Sequence, residues 1–119
     1  LESGAPMLVG SDWPSVAPDL NPWIGMEAII TRQDPDHAFA GQGWDAEKLS
    51  ITQAIRLFTI DGARALGLQE RTGTLEVGKS ADLIVLNHNL LEIPAEQINE
   101  TQVQMTFFEG ELVYTGKDA

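Results

Sequence analysis

No cysteine occurs anywhere in the 119 residues. That excludes disulfides and thiolate metal sites, and it leaves the redox compartment open. Basic residues are scarce too: 7 Lys and Arg stand against 18 Asp and Glu, a formal charge of −11. A surface of that sign repels phosphate backbones, so nucleic acid is not an expected partner. The acidic residues are scattered rather than gathered in blocks, which is the pattern of a solvated surface. Histidine is limited to His37 and His88. They lie far apart, belong to no paired ligand spacing, and read as exposed loop residues. No apolar run approaches the roughly 18 residues of a membrane-spanning helix. The chain opens on Leu1 rather than Met and shows no leader-like segment, so it reads as entered partway through a longer protein. A soluble, cytoplasmic location is the default expectation.

What is present has three successive grammars. Residues 6–12 form a short apolar run ending in Gly10-Ser11-Asp12, and read as a strand buried on both faces of a parallel sheet. A carboxylate at the end of such a strand is either a turn-former, as Asp commonly is, or a group placed for chemistry. The local pattern leaves both open. Beyond it lies a proline-rich stretch that carries all three tryptophans. Within that stretch, residues 23–32 read as a helix with Ile24, Ala28 and Thr31 on one side. Asp34-Pro35 should stop it, because the residue before proline is pushed out of the helical region. Residues 37–45 read as a surface loop.

The clearest helix follows. Ser50 with Gln53 three residues on is a capping-box pattern, and Ile51, Ala54, Ile55 and Phe58 fall on one apolar face. Thr59 is positioned to cap a second short helix over 60–66, and Gly67 to close it in a left-handed C-cap. After Gly67 the pattern turns to β. Gly73 and Gly78 are spaced like turns, residues 81–86 form an apolar strand, and residues 102–108 alternate polar and apolar. Glu109-Gly110 then supplies a two-residue turn into residues 111–115, which is a hairpin by pattern and turn chemistry together. Lys79 follows a structural glycine and belongs to no phosphate-binding motif. Asp34 and Asp36 read as turn-formers, and Arg32 and Arg64 as partners in local ion pairs.

Several of these segments together resemble one family. Val9-Gly-Ser-Asp-Trp-Pro14, Asn21-Pro-Trp23, Thr31-Arg-Gln33, residues 50–59 and above all Gly73-Thr-Leu-Glu-Val-Gly-Lys-Ser-Ala-Asp-Leu-Ile-Val-Leu86 are similar to the C-terminal end of metal-dependent hydrolases. The group is the amidohydrolase superfamily, in its amidohydrolase-3 branch, and Gly110-Glu-Leu-Val-Tyr114 extends the match. The resemblance implies an α/β fold: the C-terminal fragment of a (β/α)8 TIM barrel plus the C-terminal part of a small β-sandwich. Residues 1–66 would be the end of the barrel, with Met7 to Gly10 as its last strand, and 67–119 the sandwich segment, where Asp82 leads into a buried strand.

Active sites of such barrels sit at the C-terminal ends of the strands, where the resemblance places Asp12. It implies that Asp12 is both a catalytic acid–base group and one metal ligand; Trp13, by its place beside Asp12, is a candidate substrate contact. A divalent metal, zinc by default, would activate water to hydrolyse a C–N bond of a small, amide-like, non-peptide substrate. The family's other metal ligands have no counterpart here and would lie upstream of Leu1. A catalytic site needs three protein ligands, so this fragment alone is expected to hold no metal and to be inactive. Two other classes stay open: a non-catalytic interaction module, whose edge strands would suit a homo-oligomer, and a degenerate amidohydrolase-like domain.

Overall fold

The computed structural model describes residues 5, 7–14, 20–36, 38–41 and 43–117. It is a small structure of short helices and one three-stranded antiparallel sheet. The chain divides into two compact units. One comprises Leu1–Val9, Ile55–Asn87 and Gln102–Ala119, the other Gly10–Ala54 and His88–Thr101.

The second unit is organised by helix α1, Pro22–Thr31. Asn21 caps it by accepting the Trp23 N–H at 3.0 Å, and Pro22 stands at its start, where a missing N–H is harmless. Its buried face is Trp23, Met26, Glu27 and Thr31, so the expected side is corrected: Ile24 and Ala28 are only half-buried. The helix also stops earlier than Asp34-Pro35 suggests. Arg32 turns left-handed, at φ 59, and its N–H bonds to the Ala28 carbonyl at 2.9 Å.

Against α1 lies a 3-10 segment, Ala95–Glu100. Ile98 is 1% exposed and Glu27 2%. The burial of that carboxylate is compensated by the Asn99 N–H, donated to Glu27 Oε2 at 2.8 Å. His88 is half-buried rather than an exposed loop residue, because its Nε2 lies 2.9 Å from the hydroxyl of buried Thr101.

Helix α2, Ile51–Leu57, is preceded by the capping box that its sequence spells. The Gln53 N–H donates to Ser50 Oγ at 3.3 Å, and Gln53 Oε1 accepts the Ser50 N–H at 2.8 Å. Ala54 and Leu57 are its buried residues, while Ile51, Ile55 and Phe58 are half-buried.

In the first unit, helix α3, Ile60–Ala65, follows Thr59. The threonine side chain does not cap it, because its hydroxyl donates back to the Ile55 carbonyl at 2.7 Å. The C-terminus closes as expected. Gly67, at φ 71, donates to Arg64, and Leu68 to Ala63, at 3.1 and 2.8 Å, the paired bonds of a Schellman motif.

The sheet runs β1, Leu83–Leu86; β2, Val103–Phe108; β3, Glu111–Thr115, in that order and antiparallel throughout. Leu83 pairs with Phe107 and Val85 with Met105, and Thr106 pairs with Tyr114. Glu109 and Gly110 both have positive φ, 51 and 84, which is the two-residue turn whose twist suits a hairpin. Strand β1 is not the buried strand expected: Ile84 and Val85 are exposed, because β1 is an edge of only three strands. All five residues of β3 are exposed as well.

A second correction concerns the first apolar run. None of Met7 to Asp12 is in a strand, and Met7 and Leu8 are 40% and 59% exposed. A strand exists only through a neighbour's N–H and C=O groups, and neither ladder of the sheet includes this segment.

Candidate active site

Asp12 sits at the centre of a short turn. The hydroxyl of Ser11 accepts the Trp13 N–H at 3.2 Å, and Asp12 between them is held at φ 51. Few residues other than glycine adopt that left-handed conformation, and Asp is one that does. The turn presents Asp12 and Trp13 to solvent side by side. The structure therefore brings the two sequence-predicted site residues together as neighbours on one exposed turn.

His88 is engaged with Thr101, and His37 lies outside the described residues. Trp23 is core, whereas Trp44 is exposed. Asp34 is the turn-former it reads as, its carboxylate accepting the N–H groups of Asp36 and Phe39 at 3.2 and 2.9 Å. Among the described residues no three His, Cys, Asp or Glu side chains are grouped to hold a metal ion.

The densest polar arrangement belongs instead to Asp82, which sequence reasoning had placed only as the entrance to a strand. Its Oδ1 accepts from the Glu109 N–H at 2.9 Å and the Ser80 hydroxyl at 2.7 Å, and its Oδ2 from the Thr72 hydroxyl at 2.9 Å. The Glu109 N–H first and the Ser80 hydroxyl second, helped by Thr72 and the positive charge of Arg71, hold this carboxyl below its ordinary range. The Thr72 hydroxyl could have been found in the sequence only by knowing the loop's path. The chain returns at Ser80, whose N–H bonds to the Arg71 carbonyl at 2.8 Å.

Lys79 is committed to the same loop, reaching Thr74 Oγ1 at 2.6 Å and Glu76 at 3.6 Å. The Thr74 hydroxyl, then Lys79, keep Glu76 on the ionised side of its usual range. Asp82 and Lys79 are thus engaged within the loop, where they build a turn. An open groove of about 560 Å³ runs over β2 and β3, lined by Gln104, Thr106, Tyr114 and Lys117 among others. Its lining holds no carboxylate or histidine, so it offers no acid–base pair.

Comparison with known proteins bears on what the Asp12 turn belongs to. The model of the amidohydrolase family matches residues 1–114. The chain is 32% identical over 116 residues to Protein LONG AFTER FAR-RED 3 of Arabidopsis thaliana, covering 96% of this chain and 19% of that protein. It is 39% identical over 64 residues to a 5-methylthioadenosine/S-adenosylhomocysteine deaminase of Teredinibacter turnerae, covering 50% of this chain and 14% of the deaminase. Among solved structures, an amidohydrolase from Thermotoga maritima MSB8 superposes with a TM-score of 0.50 at 24% identity. The superposition covers 60% of this chain and 17% of that one, and the likeness is one of fold. The chain thus spans less than a fifth of the length of each of these proteins. With nearly the whole of its length matched, the chain belongs to the amidohydrolase family.

Proposed function

We infer that this chain is the C-terminal part of a hydrolase that cleaves a C–N bond in a small, non-peptide substrate, and that Asp12 moves the proton in that reaction. The observation that carries the reading is the Asp12 turn: an exposed carboxylate held at φ 51 beside exposed Trp13. Strained backbone of that kind gathers at working sites, where the surrounding structure fixes it. The family match over residues 1–114, and a relative named for deamination, support the choice of a C–N bond.

Hydrolysis adds water across that bond. An ionised carboxylate accepts one proton from the attacking water and returns it to the departing nitrogen, so Asp12 ends the cycle as it began. Trp13 offers an apolar wall beside it. The wider placement is part of the same proposal: 1–66 as the end of a barrel and 67–119 as a sandwich segment. The span of less than a fifth of the relatives' length supports a larger parent.

A divalent metal, zinc in first place, would supply the activated water in such an enzyme. The described residues do not fit a complete metal site. A catalytic centre takes three protein ligands, and no three His, Cys, Asp or Glu side chains are grouped among the described residues.

In the full-length protein, Asp12→Asn should fold normally, keep substrate binding, and lose about 10²–10⁴-fold in turnover. Near-wild-type turnover in a variant with an unchanged melting curve would remove Asp12 from the chemistry.

A further inference from the structure

Turns in this chain are often closed by an Asp or Asn side chain that accepts the N–H two residues on. Asn21 accepts from Trp23 at 3.0 Å, Asp34 from Asp36 at 3.2 Å and Asn89 from Leu91 at 3.0 Å. That bond is what makes such residues turn-formers. For Asp12 the residue two places on is Pro14, which has no N–H to give. Asp12 therefore cannot close its own turn in that way.

The turn is closed all the same, by the residue before it. Ser11 Oγ accepts the Trp13 N–H at 3.2 Å, the serine form of the same turn. Pro14 is also the third residue after Ser11, so Trp13 carries the donor that this hydroxyl can reach ahead of it. The bond spans Asp12, whose φ of 51 is a conformation that an L residue leaves readily when nothing holds it. On the other side Pro14 disfavours the helical region for Trp13. The shape of the turn thus comes from Ser11 and Pro14.

We propose that Ser11 is a positioning residue for Asp12, its hydroxyl fixing the left-handed backbone from which the carboxylate reaches the C–N bond. This role rests on the reading of Asp12 as the group that moves the proton. The two duties of the turn fall to different side chains: Ser11 holds the shape, and the Asp12 carboxylate is not spent on it. Without the hydroxyl, Asp12 moves to ordinary negative φ and its carboxylate swings off line. One neutral hydrogen bond corresponds to about 2–10-fold in a population, and turnover falls as the aligned population does.

The test uses the full-length protein with Ser11→Ala, Ser11→Thr, Asp12→Asn and the double variant of Ser11→Ala with Asp12→Asn. Turnover is read as 4-nitroaniline released from 4-nitroacetanilide. Crystal structures of the two Ser11 variants give the Asp12 backbone without need of a substrate. Ser11→Ala should lower kcat about 2–10-fold at unchanged KM and melting temperature, and its structure should show Asp12 at negative φ. Ser11→Thr should restore both, and Ser11→Ala should cost nothing further beside Asp12→Asn. Equal losses from Ser11→Ala in both backgrounds, or Asp12 still at positive φ in that variant, would overturn the positioning role. Loss of turnover in Asp12→Asn, with Ser11→Ala at the wild-type rate, would sink it while leaving Asp12 in the chemistry. Wild-type turnover in Asp12→Asn would remove both. With a wild-type protein inert toward 4-nitroacetanilide, the two crystal structures decide alone.

Discussion

Gly73 and Gly78 share the same positive φ, 93, and differ in what surrounds them. A Cβ on Gly78 would meet nothing within 4 Å, whereas one on Gly73 would stand 2.8 Å from Ala63 Cβ and 3.0 Å from Ile60 Cα. Substituting alanine at each position therefore separates two costs that usually arrive together. At Gly78 only the conformation is penalised, about 1–2 kcal/mol, offset by about 0.4–1 kcal/mol because alanine also restricts the unfolded chain. A net loss of about 1 kcal/mol is expected. At Gly73 the same net loss applies, and the new methyl must also push a helix backbone aside, which costs a further ~1–3 kcal/mol as overpacking does. Neither the Ile60 Cα nor the Ala63 Cβ can swing away as the end of a long side chain would. Urea unfolding followed by far-ultraviolet circular dichroism gives both values from the shift in midpoint at constant slope. If Gly73→Ala proved no more destabilising than Gly78→Ala, the close packing of the 72–80 loop on α3 would be refuted.

Two further outcomes follow from burial and charge. Ile98→Ala should cost about 2–5 kcal/mol, and Ile98→Val about 0.5–1.5 kcal/mol, because Ile98 is 1% exposed beside α1; a loss below the valine range for the alanine variant in urea unfolding would contradict that packing. Asp82 has a folded-state pKa below its ordinary 3.8, so its contribution is present above that value and is lost as pH falls through the lower, folded one. The difference in melting temperature between wild type and Asp82→Asn should therefore be constant near neutrality and shrink below pH 3.8; a difference that does not change with pH would show that the carboxylate's charge plays no part.

Much of the local structure was legible because the signals were local. The Ser50–Gln53 box, the Gly67 C-cap and the Glu109-Gly110 hairpin each depend on a few adjacent residues, and each formed as read. What failed depended on partners outside the segment. Residues 6–12 have strand composition, yet Met7 to Asp12 lie in no strand, because neither ladder of the sheet takes them up. The buried side of α1 was misjudged because Glu27 reads as solvent-facing. The Asn99 N–H, 72 positions along the chain, helps to make its burial tolerable. His88 was misread for a similar reason, its partner Thr101 lying 13 positions away. Arg32 was expected to pair, and the stop it imposes on α1 needs a left-handed arginine that no propensity favours. For the candidate site, the Ser11–Trp13 bond shows how Asp12 is presented. Its role rests on groups that one turn cannot supply.

The stretch that ties this chain most specifically to its family is also the one whose side chains are spent on structure. In Gly73-Thr-Leu-Glu-Val-Gly-Lys-Ser-Ala-Asp82, the first glycine lets the loop lie flat on α3. The second takes a positive φ where the chain turns back, and Lys79 bonds inward to Thr74. Asp82 then collects the Thr72 and Ser80 hydroxyls and the N–H of Glu109, so one carboxylate fixes both ends of the loop and the tip of the hairpin. A carboxylate that accepts three hydrogen bonds is a poor base, because each donor stabilises its charged form. Such a motif identifies a fold and excludes its own acid from the chemistry.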